Sequence, residues 1–252
     1  MTAAAMVAAI SGVEPWMLML GVCIVFIGAL VQGTVGIGLG MLGAPLLALV
    51  DPAFVPVGIL LPVVPLSLTM AWRERHHVDR RGILPAIAGR IPGTVLGAWV
   101  VARAEGSVLT LMIGLVVLAA VGLSLAGVRF APTPRNLAVA GLASGFTGTA
   151  AGIGGPPMAL TYQHGNPATI RSTLAVYFFV GLTLSFASLV ISGAVDRRQV
   201  ELGLLLVPGS VMGAFVAPHF AKRVAAGRVR LAVLVLCAVS AVLLIVEQVV
   251  SH

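Results

Sequence analysis

Seven apolar runs, Trp16 to Val35, Val55 to Trp72, Ile83 to Ala102, Val108 to Ala126, Thr173 to Ser192, Leu202 to Ala217 and Leu231 to Val246, take up most of this chain. Crossing about 30 Å of hydrocarbon requires roughly 20 residues of helix, and in lipid every backbone N–H and C=O must be satisfied within the protein. The runs lack the alternation of apolar and polar residues that a membrane β-barrel needs, so they predict spanning helices. With 59% of residues hydrophobic and 9% charged, and a mean hydropathy of +1.10, nothing is left over for a soluble domain. The expected fold is an all-α integral membrane protein.

Two glycine-rich stretches break the apolar pattern. "GTVGIGLGMLGAP" runs from Gly33 to Pro45 and "GFTGTAAGIGGPP" from Gly145 to Pro157. At an offset of 112 residues, Gly33, Gly36, Gly40, Gly43 and Pro45 fall on Gly145, Gly148, Gly152, Gly155 and Pro157. The flanking segments Ile37 to Val50, Leu137 to Ala150 and Ala151 to Tyr162 raise the predicted number of helical segments to ten. The repetition continues downstream: "VDRR" occurs at Val78 to Arg81 and at Val195 to Arg198, and "IPGTVLGAWV" from Ile91 matches "VPGSVMGAFV" from Val207. Self-similarity in one order along the chain marks an internal duplication. Residues 1–127 and 128–252 are read as two membrane repeats of about five segments each, within one membrane domain.

The basic residues orient these repeats. With five segments per half, one side holds Arg73, Arg75, Arg80, Arg81, Arg129, Arg135, Arg171, Lys222, Arg223, Arg228 and Arg230, and the other holds Arg103, Arg197 and Arg198. Treating each glycine motif as a single crossing gives eight against six. The eleven-to-three split fits the excess of positive charge on cytoplasmic loops, and it predicts inverted repeats in a multi-pass cell-membrane (inner-membrane) protein with both termini outside. The net charge of +7 is then a property of the loops, and nucleic acid is not an expected partner. Residues 1–13 carry no Lys or Arg, which argues against a cleaved signal peptide. Whether the motif segments span fully or re-enter does not change this parity.

Broken helices in a bilayer expose backbone groups that must face protein or a watery cavity, and inverted repeats with such breaks are a recurrent transporter plan. The expected helix starts, at about Gly43 to Leu46 and Gly155 to Met158 with Pro45 and Pro157 in the first turn, would offer N–H groups and a positive dipole end to an anion. Gly36 with Gly40, and Gly148 with Gly152, are equally G-x-x-x-G pairs that pack helices with no ligand. Gln32, Thr34, Thr147 and Thr149 stand beside the breaks as ligand contacts or as caps of freed backbone groups. Pro156 completes the second motif.

The charges narrow the ligand. The eight carboxylates, Glu14, Asp51, Glu74, Asp79, Glu105, Asp196, Glu201 and Glu247, all fall in loops or near span ends, whereas a cation pathway usually shows an intramembrane acid. Arg90 lies about two turns into its span and is either an anion contact or a snorkelling side chain; its repeat counterpart is Leu206. Past the second motif, Tyr162, Gln163, His164, Asn166 and Arg171 supply polar groups, and His164 is placed to titrate near neutrality. His76 and His77 sit in an arginine-rich loop without further metal ligands. No phosphate-binding G-x-x-x-x-G-K-[ST] loop, and no cofactor or catalytic constellation, is recognised.

These motifs make the chain resemble the sulfite exporter TauE/SafE family: two related halves, each opening on a glycine-rich segment that ends in proline ("GLGMLGAP", "GIGGPP"), with "VDRR" ahead of "PGTVLGA" and "PGSVMGA". The resemblance implies a secondary transporter, commonly an exporter, of small sulfur-containing or organic anions such as sulfite, sulfonates or sulfoacetate. Alternating access between two inverted halves is the expected mechanism, and a small-anion channel is the alternative. A small anion and the lipid bilayer are the expected partners; the sequence does not choose between a monomer and a homo-oligomer.

Overall fold

A computed structural model describes residues 13–36, 38–126, 130–162, 166–221 and 226–250. Ten α-helices run through these residues: α1 (Pro15–Val35), α2 (Leu39–Val50), α3 (Val57–Glu74), α4 (Arg80–Val101), α5 (Gly106–Leu125), α6 (Pro134–Ala150), α7 (Gly155–Tyr162), α8 (Pro167–Ile191), α9 (Arg197–Ala221) and α10 (Ala226–Val250). Each predicted apolar segment has become a helix. By length and hydropathy six of them, α1, α4, α5, α8, α9 and α10, can cross a bilayer. The side chains turned outward are large and apolar, among them Met19, Leu96, Trp99, Leu115, Phe215 and Leu243, as a lipid-facing surface requires.

The halves exchange partners. α4 from the first half packs along α6 of the second, and α9 of the second packs along α1 of the first. α3 lies against α8, and α5 against α10. Glycines allow the two crossed pairs to close. A Cβ on Gly93 would sit 2.1 Å from the Leu142 carbonyl oxygen, and one on Gly145 would sit 2.3 Å from that of Arg90. On the other pair, Cβ atoms on Gly209 and Gly213 would each come within 2.6 Å of a carbonyl oxygen of α1, and one on Gly33 within 2.4 Å of the Ala217 methyl. The repeated "PG-x-x-x-G" sequence is therefore a helix-packing face.

The "VDRR" segments have a different task. Asp79 caps α4 by accepting from the amides of Arg81 and Gly82, and its other carboxylate oxygen accepts from Tyr162 Oη at 3.1 Å. In the second copy Arg198 pairs with Asp51 at 2.7 Å. Each segment thus ties the far end of the short helix that follows a break, α7 or α2, to the opposite half.

Two expectations need correction. α2 starts at Leu39, so Pro45 lies in its interior and not in its first turn; Pro157 is the third residue of α7, as expected. The motifs are also in register at 116 residues rather than 112. Within the two motifs the glycines with positive φ are Gly36 (96°) and Gly152 (72°), and the helices after the breaks begin at Leu39 and Gly155. That is the offset that places Ile91 on Val207. Shifting by four residues is close to one helical turn, so the small-residue faces superimpose at either offset. Only the left-handed positions, open to glycine without strain, tell the two apart.

Candidate functional site

The two breaks meet. A Cβ on Gly40 would lie 2.2 Å from the Gly152 carbonyl oxygen, which brings the start of α2 onto the turn between α6 and α7. Beside this contact is a cavity of about 40 Å³ lined by residues of both motifs and of α3, α4 and α8. It is large enough for a few water molecules or a compact ion.

Polar side chains on α1 and α6 satisfy the interrupted backbone. Gln32 Oε1 accepts from Leu39 N at 3.1 Å, and Gln32 is itself buried. Because that bond fixes the amide's orientation, the free end of Gln32, which lines the cavity, is the NH2 donor. In the second half, Thr147 Oγ1 donates to Ile153 O at 2.8 Å, and Ser144 Oγ donates to Gly154 O. Thr34 and Thr149 serve elsewhere: Thr34 bonds Leu30 O within α1, and Thr149 bonds Ser185 Oγ at 2.8 Å.

Arg90 dominates the electrostatics. Its side chain is 2% exposed, so it does not snorkel. The guanidinium carbon stands 4.8 Å from the centroid of the Tyr177 ring, Nη1 donates to Ser144 Oγ at 3.2 Å, and Nε has no partner. Space for this group comes from absent side chains. A Cβ on Gly181 would strike the guanidinium at 2.1 Å, and those on Gly148 and Gly154 would lie within 3.2 and 3.4 Å of it. Among the described residues no carboxylate pairs with Arg90, whereas Arg197 pairs with Glu201 and Arg198 with Asp51. Among the described residues no other charged side chain lines the cavity. A permanent cation is therefore buried between the breaks without a counter-charge, a placement that costs about 3 kcal/mol or more at the centre of a membrane helix.

Of the residues expected at the site, Gln32, Gly40, Arg90, Gly148, Gly152, Gly155 and Pro156 line the cavity. Gly33 packs on Ala217, and Gly43 packs on Ile59. Gly36 ends α1, while Pro45 and Pro157 lie within α2 and α7. Gln163 and His164 fall outside the described residues. Because Pro156 and Pro157 have no N–H, the first turn of α7 is a poorer donor than its helix dipole suggests, whereas Gly40 and Met41, which also line the cavity, keep their N–H groups in the first turn of α2. Ser144, Tyr177 and Gly181 were not anticipated. One signal pointed to Tyr177: it is one of only two tyrosines in the chain and lies inside a long apolar run. Among the described residues no cluster of three metal-ligating side chains occurs, around His76 and His77 or elsewhere.

No curated protein and no solved structure matches the chain significantly. The family model described as Sulfite exporter TauE/SafE matches residues 20–244, nearly the full set of helices around the Arg90 cavity, and the chain belongs to that family.

Proposed function

We propose that this protein carries a small sulfur-containing or organic anion across the cell membrane, outward from the cytoplasm, by alternating access of two inverted halves around the paired breaks. The observation that carries this reading is Arg90: a buried cation with no acidic partner, facing a cavity built from both motifs. An anion there would receive the guanidinium, the Gln32 amide and the first-turn amides of α2, and would neutralise a charge that lipid cannot.

The charge count selects among candidate anions. Among the described residues one positive and no negative side chain line the cavity, so a monoanion leaves the site neutral. A dianion leaves a net negative charge in a low-dielectric pocket, at a cost of several kcal/mol. Hydrogensulfite and simple sulfonates are therefore favoured over sulfate and sulfoacetate. The near-complete enclosure of Arg90 supports a carrier over an open channel.

Inversion is supported by two contacts between helix ends. Asp51 bonds Arg198, and Tyr162 bonds Asp79, so the members of each pair lie on one side of the bilayer. A chain in which each glycine motif made a single crossing would put those partners on opposite sides. Counting each motif as a hairpin reconciles both contacts, and the second half then enters from the side opposite to the first.

The test is transport into proteoliposomes. Methanesulfonate should move at least tenfold faster than sulfate, and Arg90→Gln should abolish movement while the purified variant keeps its melting profile. Equal rates for the two anions, or full activity in Arg90→Gln, would defeat the assignment.

A further inference from the structure

A second, larger cavity of about 190 Å³ adjoins the Arg90 cavity, and Gly38, Met41 and Pro156 form walls of both. Beyond that shared wall its lining is mainly apolar: Val31 on α1, Ala120 on α5, Leu160 on α7, Leu174 on α8 and Leu234 on α10 contribute, and Ser124 on α5 is the polar residue among them. Among the described residues no charged side chain lines it. An inorganic oxyanion at Arg90 would leave this space unused. Water gains little there, because a cavity with few polar partners holds it poorly.

We propose that the second cavity receives the hydrocarbon tail of the anion whose head is bound at Arg90, so that the protein's substrates include short alkyl monosulfonates. The inference rests on the anion reading given above and names the part of the substrate which that reading leaves undefined. The wall shared by the two cavities sets the geometry: a monoanionic head at the guanidinium, a first carbon at Gly38, Met41 and Pro156, and further methylenes among side chains of five helices. Moving each methylene from water into an apolar site strengthens binding by about 3- to 4-fold. The constriction at the shared wall is made of a glycine, an unbranched thioether chain that adapts its shape, and a proline. The first and last of these are small or compact, and none bears a charge that would repel the tail.

The experiment is a binding series on the detergent-purified protein with methane-, ethane-, propane- and butanesulfonate. Affinity should climb by about 3- to 4-fold per carbon. Ala120→Phe, which fills the second cavity from α5, should bring the butanesulfonate-to-methanesulfonate affinity ratio down toward one, and Val233→Phe on α10 should do the same from another wall. In Arg90→Gln the whole series should lose binding. Methanesulfonate binding with no gain along the series overturns the tail site but leaves the anion site standing. A gain that survives both filling variants, or that persists in Arg90→Gln, places the tail in some other apolar phase such as detergent and also overturns it. If no member of the series binds, the anion reading falls and takes this one with it.

Discussion

The Arg90 guanidinium carbon on α4 lies 4.8 Å from the centroid of the Tyr177 ring on α8, so the cation buried between the glycine breaks is held by an aromatic face and not by an acid. An arginine paired to a carboxylate would be electrically satisfied and would have little to offer a ligand. Stacking on a ring orients the guanidinium, contributes about 0.5–2 kcal/mol, and leaves its charge to be neutralised by something else.

This arrangement separates the two parts of the tyrosine. The hydroxyl reaches Gly141 O only at 3.5 Å, near the limit of a hydrogen bond, so Tyr177→Phe should transport methanesulfonate within about twofold of wild type. Tyr177→Leu removes the aromatic face and should weaken binding by about 2- to 30-fold, the range that corresponds to the stacking energy. Titration of both variants by calorimetry checks this; a larger loss in Phe than in Leu would show that the hydroxyl, and not the ring, matters.

Gly181 tests the space around the same cation. A methyl group there would stand 2.1 Å from the guanidinium carbon. The obstructed atom belongs to a side chain and not to the backbone, so Gly181→Ala should displace the guanidinium while the helices keep their packing. The expected outcome is at least a tenfold loss of methanesulfonate transport with a melting temperature close to wild type. Normal transport in this variant would mean that the guanidinium has room to move and need not sit where the structure places it.

The glycines on the crossed helix pairs predict the reverse pattern. Gly145→Ala would press a methyl onto the Arg90 carbonyl oxygen, 2.3 Å away, where no rotamer change relieves the clash. Overpacking of this kind costs about 1–3 kcal/mol, and the protein should melt at a lower temperature. Gly122 on α5 has nothing within 4 Å of its Cβ position, so Gly122→Ala should be neutral or stabilise by up to about 1 kcal/mol through helix propensity. Thermal unfolding of the two variants in one detergent compares them directly.

Helix number and placement were legible because run length is a strong signal where backbone hydrogen bonds cannot be given to solvent. Register was not. Glycines serve as packing faces along α1, α4, α6 and α9 and as left-handed turns at Gly36 and Gly152, and sequence spacing mixes the two uses. That mixture placed the helix start at about Gly43, roughly one turn beyond its true position at Leu39. Arg90 stood out because a charge inside an apolar run is costly and conspicuous. Its surroundings did not, since Ser144, Tyr177 and Gly181 come from two other helices, α6 and α8, and only their convergence gives them meaning. The "VDRR" segments were visible as repeats, but their role in tying Asp51 to Arg198 and Tyr162 to Asp79 depends on partners over 80 residues away.

Those ties lead to a test of topology. Pro52 lies next to Asp51, and Arg197 next to Arg198; His77 precedes Asp79 by two residues, and Asn166, four residues after Tyr162, immediately precedes α8. All four positions are exposed, so each can carry a single cysteine in a background where Cys23 and Cys237 are replaced by alanine. With each glycine motif folded as a hairpin, Pro52→Cys and Arg197→Cys should react with a membrane-impermeant maleimide added outside intact cells. His77→Cys and Asn166→Cys should react only after permeabilisation, since they belong to the side that gathers most of the arginines. Single crossings would instead group position 52 with 166 and position 77 with 197. The pairing, read independently of which side is labelled first, distinguishes inverted halves from parallel ones, and labelling of 52 together with 166 would rule the inverted arrangement out.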